Sequence, residues 1–155
     1  MDRIPLSRKN FQKILRFYLF ECPVQYNNGS MVSNAGVSFK KRKLDGRRLN
    51  TLIAAMRRSS NISINVVKGE PIAPEGKLEY LIVRERYDMS TVNAYYYAIR
   101  NALAHGSFLY EKNMYSFVNC HKGRIQAVGK IKESTLLGWI DLCNMSVENL
   151  KMHHK

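Results

Sequence analysis

Three side chains near the middle of the chain have the types and the spacing to act on a phosphate ester. Arg100, Asn101 and His105 lie within six residues of one another, in the segment IRNALAHG. A guanidinium can hold a phosphate with two parallel hydrogen bonds and offset charge that grows in a transition state. Histidine moves protons near neutral pH, and the Asn101 amide can orient the imidazole or bind a phosphate oxygen. These groups suit RNA cleavage without a metal, in which the 2′-hydroxyl attacks the adjacent phosphorus and the 5′-oxygen leaves.

The segment around these residues has the pattern of a helix with an apolar face and a small, uncharged face. Residues 91–105 contain no lysine and no acid. At about 100° per residue, the predicted core stripe consists of Val92, Tyr96, Ile99 and Leu103. The opposite stripe consists of Ala94, Ala98, Asn101 and His105. Because a solvent-facing stripe in a basic protein would carry charges, this one indicates a close contact with a helix, either of this chain or of a second copy across a two-fold axis. Gly106 fits the left-handed residue that follows such a helix.

The remaining pattern predicts a single domain over residues 1–155, mainly α (α+β), with a small antiparallel β-meander after the central helix. Apolar residues at helical spacing predict helices over about 7–21, 45–58, 77–88, 90–105 and 134–145, and a short one after 146. Their predicted N-caps are Ser7, Ser90, Ser134 and Ser146. Alternating residues predict strands over 63–67, 107–119 and 123–131, with turns at 111–113 and 121–123. A polar run around Asn28 and Gly29 predicts a loop or a weak hairpin.

The charge of the chain points to polyanionic partners. The net charge is +13, from 25 lysines and arginines against 12 acids. Such a field attracts RNA, DNA or an acidic membrane surface, although a basic protein without such a partner has the same composition. Three cysteines without paired spacing fit a reducing compartment. The first residues lack the apolar core of a signal peptide, and no segment approaches the roughly 18 apolar residues of a membrane span. We expect a cytoplasmic protein with no membrane partner.

Clustered basic residues are the candidates for contact with an RNA backbone. A solvated surface would show the same pattern, so both interpretations stay open. The candidates are Lys40, Lys41, Arg42, Lys43, Arg47, Arg48, Arg57 and Arg58.

Four segments of the chain resemble one branch of a ribonuclease superfamily. The segments IRNALAHGSF, HGSFLYEKNMYSF, GRIQAVGKI and ESTLLGWIDL are similar to the HEPN superfamily and its Arg-x4-His motif, in the branch associated with plasmids and phage defence. The likeness covers residues from about 75 to 145. It implies a HEPN-like helical bundle and a homodimer in which two motifs meet in one composite site. It also implies a catalytic set of Arg100, Asn101 and His105, with neither metal nor cofactor.

One position departs from a related pattern. HEPN toxins that are paired with nucleotidyltransferase antitoxins carry a tyrosine two residues after the motif histidine, and here that position is Ser107. The resemblance therefore gives no support to regulation by adenylylation of a motif tyrosine. An antitoxin of another kind or a phage-derived regulator remains the implied partner.

Other candidate sites are weaker. Cys120 and His121 are adjacent in a predicted turn and lack companions at zinc-ligand spacing. Cys143 is expected to be a buried structural thiol, and His153 and His154 to form a solvated tail. We therefore expect a metal-independent endoribonuclease, used as a toxin or phage-defence effector. The alternative is a non-catalytic HEPN-like module that binds RNA or neutralises a partner. A DNA-binding regulator is a weaker third hypothesis, since no helix-turn-helix pattern is present.

Overall fold

The described part of the protein contains a five-stranded mixed sheet, a separate pair of short strands and five α-helices. The computed structural model describes residues 8–22, 25–27, 30–32, 47–86, 91–145 and 147–152. The helical elements are α1 (Lys9–Leu15), which continues as a π-helical segment (Arg16–Glu21), α2 (Arg47–Ser59), α3 (Thr91–Ala104), α4 (Glu133–Cys143) and α5 (Val147–Met152). The strands are β1 (Gln25–Asn27), β2 (Ser30–Val32), β3 (Ser63–Val67), β4 (Tyr80–Arg84), β5 (Phe108–Glu111), β6 (Met114–His121) and β7 (Arg124–Lys132).

The prediction of a mainly α, HEPN-like helical bundle is wrong. The meander of β5, β6 and β7 forms as expected, but β4 pairs antiparallel with β7, and β3 pairs parallel with β4. The sheet order is therefore β3-β4-β7-β6-β5, while β1 and β2 form a separate antiparallel pair. The protein belongs to the α+β class, with a central sheet instead of a helix-dominated core.

The largest local error concerns the segment 77–88, which was predicted to be a helix. Tyr80–Arg84 is a strand, and Leu81, Ile82 and Val83 are all buried. A short apolar run that is buried on both sides has no alternation to separate it from a helix. Its position between β3 and β7 pairs both of its edges, so this segment is a central strand of the sheet.

The two tight turns of the meander lie where the sequence predicts them. Lys112 and Asn113 have φ values of 52° and 61°, and Lys122 and Gly123 have values of 50° and 75°. Two successive residues with positive φ are the requirement of a type I′ hairpin turn, which matches the twist of the flanking strands. The predicted turns at 111–113 and 121–123 are confirmed.

The helices form a layer on one face of the sheet. α3 contacts β4 and β6, α4 contacts β7, and α2 packs against α3, α4 and α5. The predicted core stripe of α3 is buried as expected. The Tyr96 hydroxyl donates to the Trp139 carbonyl at 3.1 Å, and the Tyr18 hydroxyl donates to the Leu136 carbonyl at 2.8 Å. These bonds satisfy phenol groups that would otherwise lose water in the core without a partner.

A buried carboxylate joins the start of the described chain to the end of the sheet. Both guanidinium NH2 groups of Arg8 donate to Glu133, at 2.7 and 3.0 Å, and Asn10 donates at 3.2 Å. The Tyr115 hydroxyl donates to the same carboxylate at 2.8 Å. Burial by itself would raise the pKa of Glu133, but these hydrogen bonds and the charge of Arg8 together lower it.

Glu133 is the first residue of α4, and Lys132 is the N-cap of this helix, without a side-chain hydrogen bond. The predicted cap at Ser134 is therefore wrong. The other predicted caps, Ser7, Ser90 and Ser146, lie outside the described residues.

We expect Glu133→Gln to lower the free energy of unfolding at neutral pH by about 2 kcal/mol, the range of hydrogen bonds to a charged group. The folded state holds the pKa of Glu133 below its ordinary value of 4.5. The contribution of the carboxylate is therefore complete above that pH and is lost as pH falls through the folded-state pKa. Urea unfolding of both proteins, from neutral pH to about pH 3, measures the difference. A difference that stays constant over this range would contradict the role given to the charge.

A glycine pair provides a second test of the packing. A Cβ at Gly129 would lie 2.6 Å from Cε1 of the Phe117 ring, whereas a Cβ at Gly138 in α4 meets nothing within 4 Å. Gly129→Ala should lower the free energy of unfolding by about 1–3 kcal/mol because the ring must move. Gly138→Ala should raise it by about 0.5–1 kcal/mol, because alanine loses less backbone freedom in a helix. Equal stability of the Gly129→Ala and wild-type proteins would show that the ring moves aside freely.

Candidate functional site in a cationic cleft

Helix α3 is held against the sheet by small side chains and one hydrogen bond. Ala94 and Ala98 are 6% and 5% exposed in the single chain. The Asn119 side chain of β6 donates from Nδ2 to the Ala98 carbonyl at 2.8 Å. Small residues let the helix backbone come this close to the strand. The contact fixes the side of α3 that faces the sheet.

The C-terminal end of α3 has the geometry that the sequence predicts. Gly106 has a φ of 63°, its amide donates to Leu103 at 3.2 Å, and the amide of Ser107 donates to Ala102 at 3.0 Å. These two bonds form a Schellman motif, which satisfies carbonyls at the helix end and reverses the chain. His105 is therefore the last residue before the reversal, and its side chain is exposed.

A cleft of about 810 Å³ lies between α3 and the sheet. It contains all three residues of the predicted catalytic set, Arg100, Asn101 and His105. The further polar residues along its walls are Arg84, Arg86, Tyr97, Ser107, Asn119, Cys120, His121 and Gln126. Three arginines and two histidines thus share one cavity, and no aspartate or glutamate is among its described lining residues. Such a cavity favours an anion.

Asn101 orients the arginine in this structure. Its Oδ1 accepts a hydrogen bond from the guanidinium of Arg100 at 3.2 Å. Both side chains are half-buried, whereas His105 is exposed at the rim. The sequence left two roles open for Asn101, to orient the imidazole of His105 or to bind a phosphate oxygen. No described hydrogen bond joins Asn101 to the imidazole. The amide NH2 of Asn101 donates to no acceptor among the described residues, so it could donate to a phosphate oxygen.

An irregularity in the sheet shapes the opposite wall. Asn119 pairs with Ala127 and Cys120 pairs with Ile125, so that Gln126 is an extra residue, a β-bulge. The Arg84 guanidinium donates from Nε to the Ile125 carbonyl at 3.1 Å, next to the bulge. The bulge brings Gln126 to the cleft beside its neighbour Ala127.

Sequence reasoning missed the sheet side of this cleft. The sequence predicts a helix for the segment that contains Arg84 and Arg86, and the spacing of Cys120 and His121 does not indicate a zinc site. The available signal was His121 itself, two residues after Asn119 on one strand and therefore on the same face. Cys143, by contrast, is fully buried as expected.

The stripe predicted as a dimer face is covered differently. Ala94 and Ala98 line the cleft and are buried by the chain's own sheet, without a second copy. Asn101 and His105, the other two members, lie in the more open part of the same cleft. The prediction of a homodimer is not tested by this single chain. That prediction depends on the small face of α3 being uncovered in the single chain, and this is true only of the end that carries His105.

The basic runs do not line the cleft where they are described. Arg57 donates to the Ile64 carbonyl at 3.3 Å and to the Tyr95 hydroxyl, and Arg58 donates to the Leu150 carbonyl at 2.8 Å. Both arginines therefore support packing around α2. Arg47 and Arg48 begin α2, and their side chains lie outside the described part. Lys40, Lys41, Arg42 and Lys43 lie outside it entirely, as do His153 and His154.

We expect Ala98→Leu to block the cleft without changing the assembly of the protein. A larger neutral side chain would fill the space between α3 and Asn119, so affinity for a polyanionic probe should fall about tenfold or more. Binding and the mass in solution are measured together, with Ala104→Leu, at an exposed position of the same helix, as the matched control. A folded Ala98→Leu protein of lower mass than wild type would instead place Ala98 in an interface between copies.

Three comparisons with known proteins found no match for this chain. No family model matches it, and no curated protein and no solved structure matches it at a significant level. Among the described residues, no helix is long and apolar enough to cross a membrane. The same part of the chain has no group of three or more histidine, cysteine or acidic side chains arranged to hold a metal ion. The basis for a function is therefore the chemistry of the cleft.

Proposed function

We propose that the protein is a metal-independent endoribonuclease whose active site is the cleft between α3 and the sheet. The observation that carries this proposal is the presence of Arg100, Asn101 and His105 in one cavity with further cations and no described acid. RNA supplies both the phosphodiester anion that such a cavity attracts and the 2′-hydroxyl nucleophile.

His105 is the proton acceptor in this mechanism. It takes the proton of the 2′-hydroxyl while the 2′-oxygen bonds to phosphorus and the bond from phosphorus to the 5′-oxygen breaks. The 5′-oxygen leaves with a proton from an acid or from water, and the other product is a 2′,3′-cyclic phosphate. The exposed position of His105 at the cleft rim leaves its ring accessible to a bound strand.

Arg100 stabilises the charge that this step creates. Its guanidinium, fixed at 3.2 Å from Asn101 Oδ1, can donate two parallel hydrogen bonds to the phosphate oxygens. Orientation by a neighbour matters because a pre-positioned donor needs no reorganisation as the reaction proceeds. Asn101 therefore acts as the positioning residue for the guanidinium.

A second copy of the chain would complete the proton transfers. One chain contributes one imidazole at the end of α3, and a two-fold pair would contribute a base and an acid. The homodimer with a composite site remains part of the proposal. So does the use of this activity as a toxin or phage-defence effector in the cytoplasm, restrained by an antitoxin or a phage-derived regulator. Both parts are supported by the resemblance of the motif.

One observation favours a second candidate, a non-catalytic RNA-binding module. No described hydrogen bond orients the imidazole ring of His105, although catalytic histidines are commonly fixed by one. The cations of the cleft would bind RNA equally well without cleaving it. Such a module binds RNA with a steep salt dependence and leaves it intact.

The purified protein should cleave RNA in the presence of EDTA and leave 2′,3′-cyclic phosphate or 3′-phosphate ends. His105→Ala should reduce the rate by about 10²–10⁴, the usual contribution of a proton-transfer group. Arg100→Lys should also lose most of the activity, because it keeps the charge but loses the two-pronged geometry. Gel analysis of a labelled RNA and chemical mapping of its ends provide the readout.

The variants purified in parallel are the control for contaminating nucleases. Equal cleavage by the wild-type and His105→Ala proteins would assign the activity to a contaminant and refute the proposal. Activity that EDTA abolishes and magnesium restores would refute the mechanism. Near-full activity of Arg100→Lys would show that the arginine acts only as a distant charge. Binding without cleavage would support the second candidate.

A further inference from the structure

The cleft is longer than one phosphodiester group. Tyr97 and His105 both line it, and they are eight residues apart on α3. At about 1.5 Å per residue, their backbone positions are about 12 Å apart along the helix axis. Successive phosphates of a helical strand advance by only about 3.4 Å along the axis. A strand bound at Arg100 and His105 would therefore extend beyond the reacting group and along the cleft.

The sheet topology brings three of the cleft residues to one end of the sheet. β4 and β6 both pair antiparallel with β7, so they run parallel to each other. Val83 of β4 and Asn119 of β6 both pair with Ala127, and they therefore lie at the same level of the sheet. The residues after Val83 and after Asn119 consequently leave the sheet at the same end. They include Arg84, Arg86 and His121.

Contacts with α3 show which part of the helix lies beside Arg86. The Arg86 guanidinium lies over the Tyr97 ring, 4.9 Å from its centroid, and Asn119 contacts Ala98. Since Tyr97 precedes His105 by about two helical turns, Arg86 lies beside a part of the cleft away from the end of α3.

We propose that Arg84, Arg86 and Tyr97 form a second subsite, which binds another phosphodiester of the same RNA strand. This inference rests on the proposed function, because it takes RNA as the ligand of the cleft. The ring of Tyr97 and the planar guanidinium of Arg86 also form a stacked pair of the kind on which unpaired bases are held. The ligand class is therefore single-stranded RNA of several nucleotides, with the bond to be cut near Arg100 and a flanking phosphate near Arg86.

The two arginines are held in place before RNA binds. Arg84 is held at the Ile125 carbonyl through Nε, at 3.1 Å. Arg86 is fixed on the Tyr97 ring. Side chains that are already ordered lose less conformational freedom on binding, so the same contacts contribute more to affinity.

The test is the dependence of binding on RNA length. The probes are 2′-O-methyl RNAs, which cannot react, as a dinucleotide and an octanucleotide. Arg86→Ala should weaken octanucleotide binding about tenfold more than dinucleotide binding. It should also reduce the slope of log affinity against log salt by about 0.7 for the octanucleotide, the loss of one contact to a single strand. Arg124→Ala is the matched control, since Arg124 pairs with His121 at the same end of the sheet and is exposed, but does not line the cleft.

The outcomes separate this inference from the function on which it rests. If the wild-type protein binds and cleaves RNA but Arg86→Ala and Arg124→Ala behave alike, the second subsite is refuted and the nuclease stands. If Arg86→Ala weakens the dinucleotide and the octanucleotide by the same factor, Arg86 belongs to the reacting site and the second subsite is again refuted. If the wild-type protein binds neither probe, the proposed function itself fails.

Discussion

A hydrogen bond from the Asn119 side chain to the Ala98 carbonyl joins the two elements on which the cleft depends. One element is the helix that ends at His105, and the other is the strand that continues to His121. The two small residues Ala94 and Ala98 make this close approach sterically feasible. If the helix were farther from the strand, more water would lie between the arginines of the two walls. Water and salt would then screen the attraction between these arginines and a phosphate more effectively. The close approach of helix and strand therefore strengthens the attraction of the cleft for an anion.

Features that depend on neighbours in sequence were predictable. The helix over Thr91–Ala104, its reversal at Gly106 and the two tight turns of the meander all result from interactions within about five residues. The strand Tyr80–Arg84 was not predictable in this way. Its three buried apolar residues satisfy a helix pattern and a central-strand pattern equally well, and only pairing with distant strands decides between them. That one error was enough to turn a mixed sheet into an expected helical bundle.

Some residues of the candidate site could likewise be predicted from the sequence, and others could not. Arg100, Asn101 and His105 share one helix, so their spacing alone brought them together. Arg86 and His121 enter the same cavity only because two strands run parallel and share a register. The small stripe of α3 showed correctly that something covers this face. The expected cover was a helix of this chain or of a second copy, whereas the sheet covers Ala94 and Ala98, because small side chains permit a close approach to either.

The carboxylate cluster has a consequence for the order in which the chain can fold. Arg8 and Glu133 are separated by 125 positions, so α1 can complete its contacts only after Glu133 has been synthesised. Until then its buried residues, among them Phe11 and Ile14, lack the sheet and α4 against which they pack. Such distant contacts slow folding, since a long loop must close before they contribute. Until that point the ribosome-bound chain exposes the apolar residues of α1, and this is the stage at which chaperones would engage it.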